Sequence, residues 1–166
     1  AKLSKEKGVK RYILPSSCSI YGFQEEGKIA NEDSPTNPLT TYAKANEMAE
    51  KDILPLADDS FCVTVLRQAT VYGFSPRMRF DLAINGMTFG AWKERKLPLM
   101  RDGKQWRPMI HIKDTSDAMI FMLAQEPSKI NGQIFNSGSQ ENCYQIGELA
   151  KNIASVVGGD VEIEWY

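Results

Sequence analysis

Apolar and polar positions along this chain follow two periods. Ile146, Leu149, Ala150, Ile153 and Val157 recur at the spacing of one helix face, and Gly158-Gly159 stops that helix. A helix is predicted from about Thr41 to Leu54, with Tyr42, Ala45, Asn46, Ala49 and Ile53 on one face and Lys44, Glu47 and Lys51 on another. Further helices are predicted near 80–94 and from Asp114, as N-cap, to about Ala124. VKRYILPS at 9–16 reads as a short apolar strand after a helix end at Gly8, and CVTVL at 62–66 as a β-branched strand buried on both faces. LPLM at 97–100, MIHI at 109–112 and IFNSG at 134–138 read as further strands, and VEIEW at 161–165 alternates with period two. Residues 22–41, rich in Gly, Pro, Asn, Thr and acids, read as a loop. Strands alternating with helices predict an α/β fold, and with no repeat or linker residues 1–166 read as one continuous domain.

Composition narrows the partners. With 166 residues, 42% hydrophobic and 25% charged, the chain can build one core. A net charge of -1 offers no electrostatic reason to bind nucleic acid or an acidic membrane. The cluster Lys2, Lys5, Lys7, Lys10 and Arg11 is short, is interrupted by Glu6, and reads as solvated surface. Cys18, Cys62 and Cys143 are far apart and lack CxxC spacing or a His-rich cluster, so no metal site is expected. Free thiols fit a reducing, cytoplasmic setting. No apolar run approaches the ~18 residues of a membrane span, and residues 1–11 lack the apolar stretch of a signal peptide. The start at Ala1 rather than Met slightly favours a chain cut from something longer.

Three stretches carry candidate chemistry: SSCSIYG at 16–22, Tyr42 within TTYAKANEMAE at 40–50, and LRQATVYG at 66–73. A hydroxyl just past a strand end, followed about 25 residues later by a tyrosine opening a helix, suits an open α/β sheet. Ligands there sit at the carboxyl ends of strands. A tyrosine so placed acts as general acid/base on a sugar hydroxyl when its surroundings bring a phenol from ~10 towards neutrality. A neighbouring serine can hydrogen-bond the same oxygen as hydroxyl and carbonyl interconvert.

Together with the Pro-Leu-Thr-Thr-Tyr lead-in and QWRPMIHIKDTSDAM at 105–119, these stretches resemble the NAD-dependent epimerase/dehydratase family of extended short-chain dehydrogenases. The resemblance covers essentially the whole chain. It implies the C-terminal part of a Rossmann-like doubly wound parallel sheet plus the small substrate-binding region. It places Tyr42 as the acid/base tyrosine, Ser17 as the catalytic hydroxyl and Ser19 facing the sugar. Ser16, Asn46, Thr70 and Val71 fall beside the cofactor, Asn85 at the sugar diphosphate, and Arg107 at the nucleotide's phosphates. A planar, permanently charged guanidinium suits that last task. The resemblance also implies NAD or NADP, a nucleotide-sugar substrate, and a homodimer formed through two helices, one of them bearing Tyr42.

Plainer readings stand beside these. Tyr42 can be a half-buried aromatic at a helix start, Ser16 and Ser17 can cap a turn, and Arg107 can be a surface ion-pair partner. His111, the single histidine, reads as structural, since no Ser or Cys motif points to a His-based triad. Cys18 beside Ser17 is not read as a nucleophile, because nothing nearby in sequence would lower its pKa.

The chain also departs from the family pattern. Four residues after the tyrosine the family usually has Lys; here it is Asn46. Asn can hydrogen-bond a ribose hydroxyl but cannot supply the charge that favours a phenolate. No glycine-rich strand-turn-helix for the pyrophosphate precedes SSCSIYG; the first 15 residues hold only Gly8. The first half of the Rossmann unit is therefore expected to be missing, leaving an edge strand that needs cover and a chain that is poorly stable alone or pairs with another. Sugar 4,6-dehydratases of the family carry Asp-Glu after the catalytic hydroxyl; Cys18-Ser19 stand here. That favours an epimerase or related reductase over water elimination. The alternatives are a catalytically silent binding or regulatory module, favoured by Asn46, and a structural or partner-binding fragment.

Overall fold

In chain order, the elements are α1 (Lys2–Glu6), β1 (Arg11–Ser17), α2 (Thr41–Ile53), β2 (Cys62–Gln68), β3 (Thr70–Tyr72), α3 (Ala83–Glu94), β4 (Lys96–Leu99), β5 (Trp106–His111), α4 (Ile112–Ala124), α5 (Pro127–Ile130), β6 (Gln133–Ser137), β7 (Cys143–Gln145), α6 (Ile146–Val157) and β8 (Glu162–Trp165). The computed structural model describes residues 1–24, 29–99 and 102–166. Residues 25–28 of the expected loop and Met100 of the expected LPLM strand lie outside these. The chain divides into two compact units, one of residues 1–69 and 113–137, the other of 70–112 and 138–166.

In the first unit, β2 lies between β1 and β6 in a parallel sheet. Its residues from Cys62 to Arg67 are all buried. A parallel strand covered on both faces wants a continuous β-branched and apolar run, and CVTVL supplies it. Phe61, Val63 and Val65 have no exposed surface, and Thr64 donates its hydroxyl to the Ile130 carbonyl at 3.1 Å. α2 starts at a Thr40 cap whose Oγ1 accepts from the Ala43 N–H at 3.1 Å. It packs against β1 and ends in a single 3-10 turn at Leu54–Leu56.

The second unit holds a sheet ordered β3-β5-β7 and a parallel pair, β4 with β8. Its core joins Ala91, Leu97, Leu99, Met109, Leu149, Ala150 and Ile153, with α3 packed on α6. The predicted α6 stripe buries Leu149, Ala150 and Ile153.

Four expectations change. The buried face of α2 centres on Ala43 and Glu50, while Tyr42 and Ala45 are exposed, so the face is turned by about one residue from the expected one. The cause is a carboxylate: Glu50 is held inside by partners on the sheet. Asp114 is not an N-cap, because α4 begins two residues earlier and runs straight on from β5; Asp114 sits in the first turn, where its charge suits the helix dipole. The helix expected near 80 begins at Ala83. Strands β3 and β7, of three residues each, are too short to show a period and were not expected. No helix among the described residues is long and apolar enough to cross a membrane.

Candidate active site

β1 delivers its hydroxyls in sequence at the carboxyl edge of the first sheet. Ser16 pairs with Arg67, and Ser17 with Gln68. Ser17 ends the strand and caps the following 3-10 turn, Cys18–Tyr21, its Oγ accepting from the Ser19 N–H at 3.2 Å. The capping role weighed for Ser17 is thus present, and its hydroxyl proton remains available to a ligand. Ser19 is exposed. Gly22 closes the loop at φ 67, where an added Cβ would lie 2.1 Å from the Asn37 carbonyl oxygen, so only glycine fits.

Tyr42 is the second residue of α2 and is 62% exposed. Among the described residues its hydroxyl has no hydrogen-bond partner, so it is not held as a structural phenol. Asn46 is half-buried, and its Nδ2 donates to the Tyr42 carbonyl at 3.0 Å, one turn back. α2 packs against both β1 and the Cys18–Tyr21 turn, which puts Tyr42, Asn46, Ser17 and Ser19 on adjoining elements of one unit.

Beneath this surface lies a polar cluster that sequence reasoning missed. Ser16, 2% exposed, donates its hydroxyl to Glu50 Oε1 at 2.5 Å. Arg67 donates Nε to both Glu50 oxygens at 3.2 Å and Nη2 to Oε2 at 2.8 Å. Its Nη1 reaches the Tyr21 hydroxyl at 2.9 Å and the Glu32 carbonyl at 3.3 Å. Tyr21 in turn donates its hydroxyl to Asn136 Oδ1 at 2.7 Å. Burial opposes the Arg67 charge, but hydrogen bonds with Glu50 and Tyr21 and the Glu50 charge outweigh it, holding the guanidinium above its ordinary pKa. Burial likewise raises the Tyr21 phenol, against the pull of Arg67. A signal existed in the sequence. An arginine directly after a strand read as buried demands an acceptor, and the preceding helix offers Glu47, Glu50 and Asp52, of which Glu50 is the one that meets it.

Cys18 donates its thiol to the Arg67 carbonyl at 3.1 Å, and burial pushes its pKa up to about 11, although Arg67 pulls the other way. It is a poor nucleophile and a poor acid/base near neutrality, as expected. The three cysteines are unpaired, and no group of metal ligands occurs among the described residues.

The remaining candidates belong to the second unit. Thr70 and Val71 are half-buried on β3, paired with Met109 and Ile110 of β5. Asn85 is 9% exposed, and its Oδ1 accepts from the Gly73 N–H at 3.0 Å, bracing the chain after β3. Arg107 is exposed on β5 beside Tyr144 of β7, and among the described residues it has no ion-pair partner. His111 packs edge-on against Tyr72, with ring centroids 5.3 Å apart.

Residues 1–138 match the NAD dependent epimerase/dehydratase family. The chain belongs to that family. A putative UDP-arabinose 4-epimerase of Arabidopsis thaliana is 29% identical over 95% of the chain and 42% of its own length. A UDP-glucuronate 4-epimerase of Thermodesulfobacterium geofontis is 27% identical over 99% and 49%. The chain therefore spans about half the length of the curated relatives it matches. Among solved structures, dTDP-glucose 4,6-dehydratase of Bacillus anthracis in complex with NAD superposes with a TM-score of 0.87 at 24% identity, covering 99% of the chain and 52% of that protein. This likeness places the fold among Rossmann-type epimerases and dehydratases.

Proposed function

We propose that this chain carries the acid/base centre of an NAD(P)-dependent nucleotide-sugar epimerase, or a related reductase, with Tyr42 and Ser17 acting on one sugar hydroxyl. The observation that carries this reading is the accessible Tyr42 phenol, without a hydrogen-bond partner among the described residues, on the helix packed against the strand that bears Ser17. The UDP-sugar 4-epimerases among the relatives support the same class.

The residues present fit the nicotinamide end of a cofactor in part. Asn46 is half-buried, and its Oδ1 has no partner among the described residues, so it can accept from a ribose hydroxyl. Thr70 and Val71 keep exposed surface. Ser16 offers little, being buried and engaged with Glu50. NAD or NADP, when bound, supplies the exchange of a hydride with the sugar carbon. The chain's own part is to hold the sugar oxygen and move its proton. The Tyr42 oxygen takes the proton from the sugar hydroxyl and returns it, and the Ser17 hydroxyl steadies that oxygen. Arg107, exposed and unpaired among the described residues, suits a nucleotide's phosphates. Asn85 is the corresponding candidate for the sugar diphosphate. Epimerisation is preferred to dehydration because the position after Ser17 is a thiol raised to about 11, unable to serve as acid or base near neutrality.

The second reading, a catalytically silent nucleotide-sugar or dinucleotide module, is favoured by Asn46. Its amide donates to its own helix and brings no cation to Tyr42. Both readings meet one experiment: the full-length protein with a panel of nucleotide-sugars and NAD or NADP. Inversion at a hydroxyl-bearing carbon, cut about 100-fold or more by Tyr42→Phe, supports the epimerase. Loss of water as the main product refutes it. No turnover in the native protein, with turnover gained by Asn46→Lys, supports the silent module.

A further inference from the structure

We propose that Glu50 is a positioning residue for the reaction. Through the Ser16 hydroxyl and the Arg67 guanidinium, it sets the axial register and roll of α2, and with them where Tyr42 stands relative to Ser17. The inference rests on the assignment of Tyr42 and Ser17 above. Glu50 lies eight residues after Tyr42, which is roughly 12 Å along the helix and about 80° around it. A rigid helix transmits rotation over that distance undiminished.

Nothing else that α2 buries completely has a direction. Its other buried residue is Ala43, 1% exposed, a small side chain that lets a helix slide or roll at little cost. A carboxylate gripped by two donors of one guanidinium and by a hydroxyl has a direction and a single length. The grip also reaches the other half of the pair. Ser17 stands between Ser16, which donates to Glu50 at 2.5 Å, and Cys18, which donates to the Arg67 carbonyl at 3.1 Å. One neighbour of the proposed catalytic hydroxyl is thus tied to the carboxylate that holds the tyrosine's helix, and the other to the main chain of the strand that carries Arg67. The side chains of that pair are only 4% and 6% exposed. A buried ion pair is a poor source of net stability, and its best-supported use is to specify one arrangement among several.

The test uses the full-length protein carrying Glu50→Gln, which keeps the shape and loses the charge. The double variant Glu50→Leu/Arg67→Met stands beside it, removing both charges so that the fold is retained. Each is made with and without Tyr42→Phe. Positioning predicts kcat lower by about 10- to 100-fold with KM nearly unchanged. It also predicts no further loss in the Tyr42→Phe background, because the effect passes through the phenol. Hydrogen exchange, which needs no turnover, is expected to quicken at α2 amides while β2 stays protected. An unchanged kcat, an equal loss in both backgrounds, or α2 exchange like that of the native protein overturns the proposal. If the native protein turns over no nucleotide-sugar, the assignment of function fails, and α2 exchange alone decides whether Glu50 sets the helix.

Discussion

Replacing Arg67 by Met tests the buried cluster most directly. The native guanidinium makes three contacts of 2.8–3.2 Å with Glu50 and one of 2.9 Å with the Tyr21 hydroxyl, at 5% exposure. Methionine fills much of the volume but donates nothing. Tyr21 keeps Asn136 as acceptor, so the phenol remains satisfied. Glu50 keeps only the Ser16 hydroxyl, and an almost unpaired carboxylate is left inside. Breaking a buried pair from one side costs about 3–5 kcal/mol, which for a chain of this size lowers Tm by roughly 6–20 °C. Removing both charges, as in Glu50→Leu/Arg67→Met, is expected to restore most of that loss, since two apolar side chains need no partner. Urea unfolding followed by circular dichroism measures both variants. A single-variant loss below about 1 kcal/mol, or a double variant no better than Arg67→Met, would refute the account of the pair as mutually dependent buried charges.

Further outcomes follow from three separate features. With its thiol held at about 11, Cys18 is expected to alkylate roughly 100-fold more slowly in the native protein than in denaturant near neutral pH; peptide mass spectrometry of iodoacetamide-treated protein measures this. Because its folded pKa is raised from 9.0, its contribution to stability is complete below about 9 and is lost as pH rises towards about 11. Gly22→Ala is expected to cost about 1–3 kcal/mol from the φ of 67 alone, more with the clash against Asn37, and to loosen the Ser17–Ser19 turn, as read by thermal unfolding and by amide exchange there. Phe61→Ala, at a position with no exposed surface, is expected to lose about 3–5 kcal/mol in chemical denaturation.

The parts legible in the sequence are those where one chemistry decides the element. α6 repeats Leu149, Ala150 and Ile153 at helical spacing and buries them as its pattern requires. CVTVL forms the central strand because a β-branched run leaves no polar face to expose. β3 and β7 were illegible because three residues hold no period, and their pairing with β5 comes from the unit around them. The likeness of short motifs picked out the family; of the residues it pointed to, Ser17 ends β1 and Tyr42 stands in the first turn of α2.

The orientation of α2 shows where binary patterning fails. An apolar count puts Tyr42 on the inner face and Glu50 on neither, because a carboxylate scores as solvent-facing. The structure turns the helix so that Glu50 enters and Tyr42 stays 62% exposed. Two charges that would each be excluded alone become an inner face when they meet, and here their meeting exposes the phenol. An exposed phenol is what the role proposed for Tyr42 requires, whereas a core tyrosine would have used the same helix face to hide its ring. The polarity that defeats the pattern is therefore the feature that fixes which face of the helix is free.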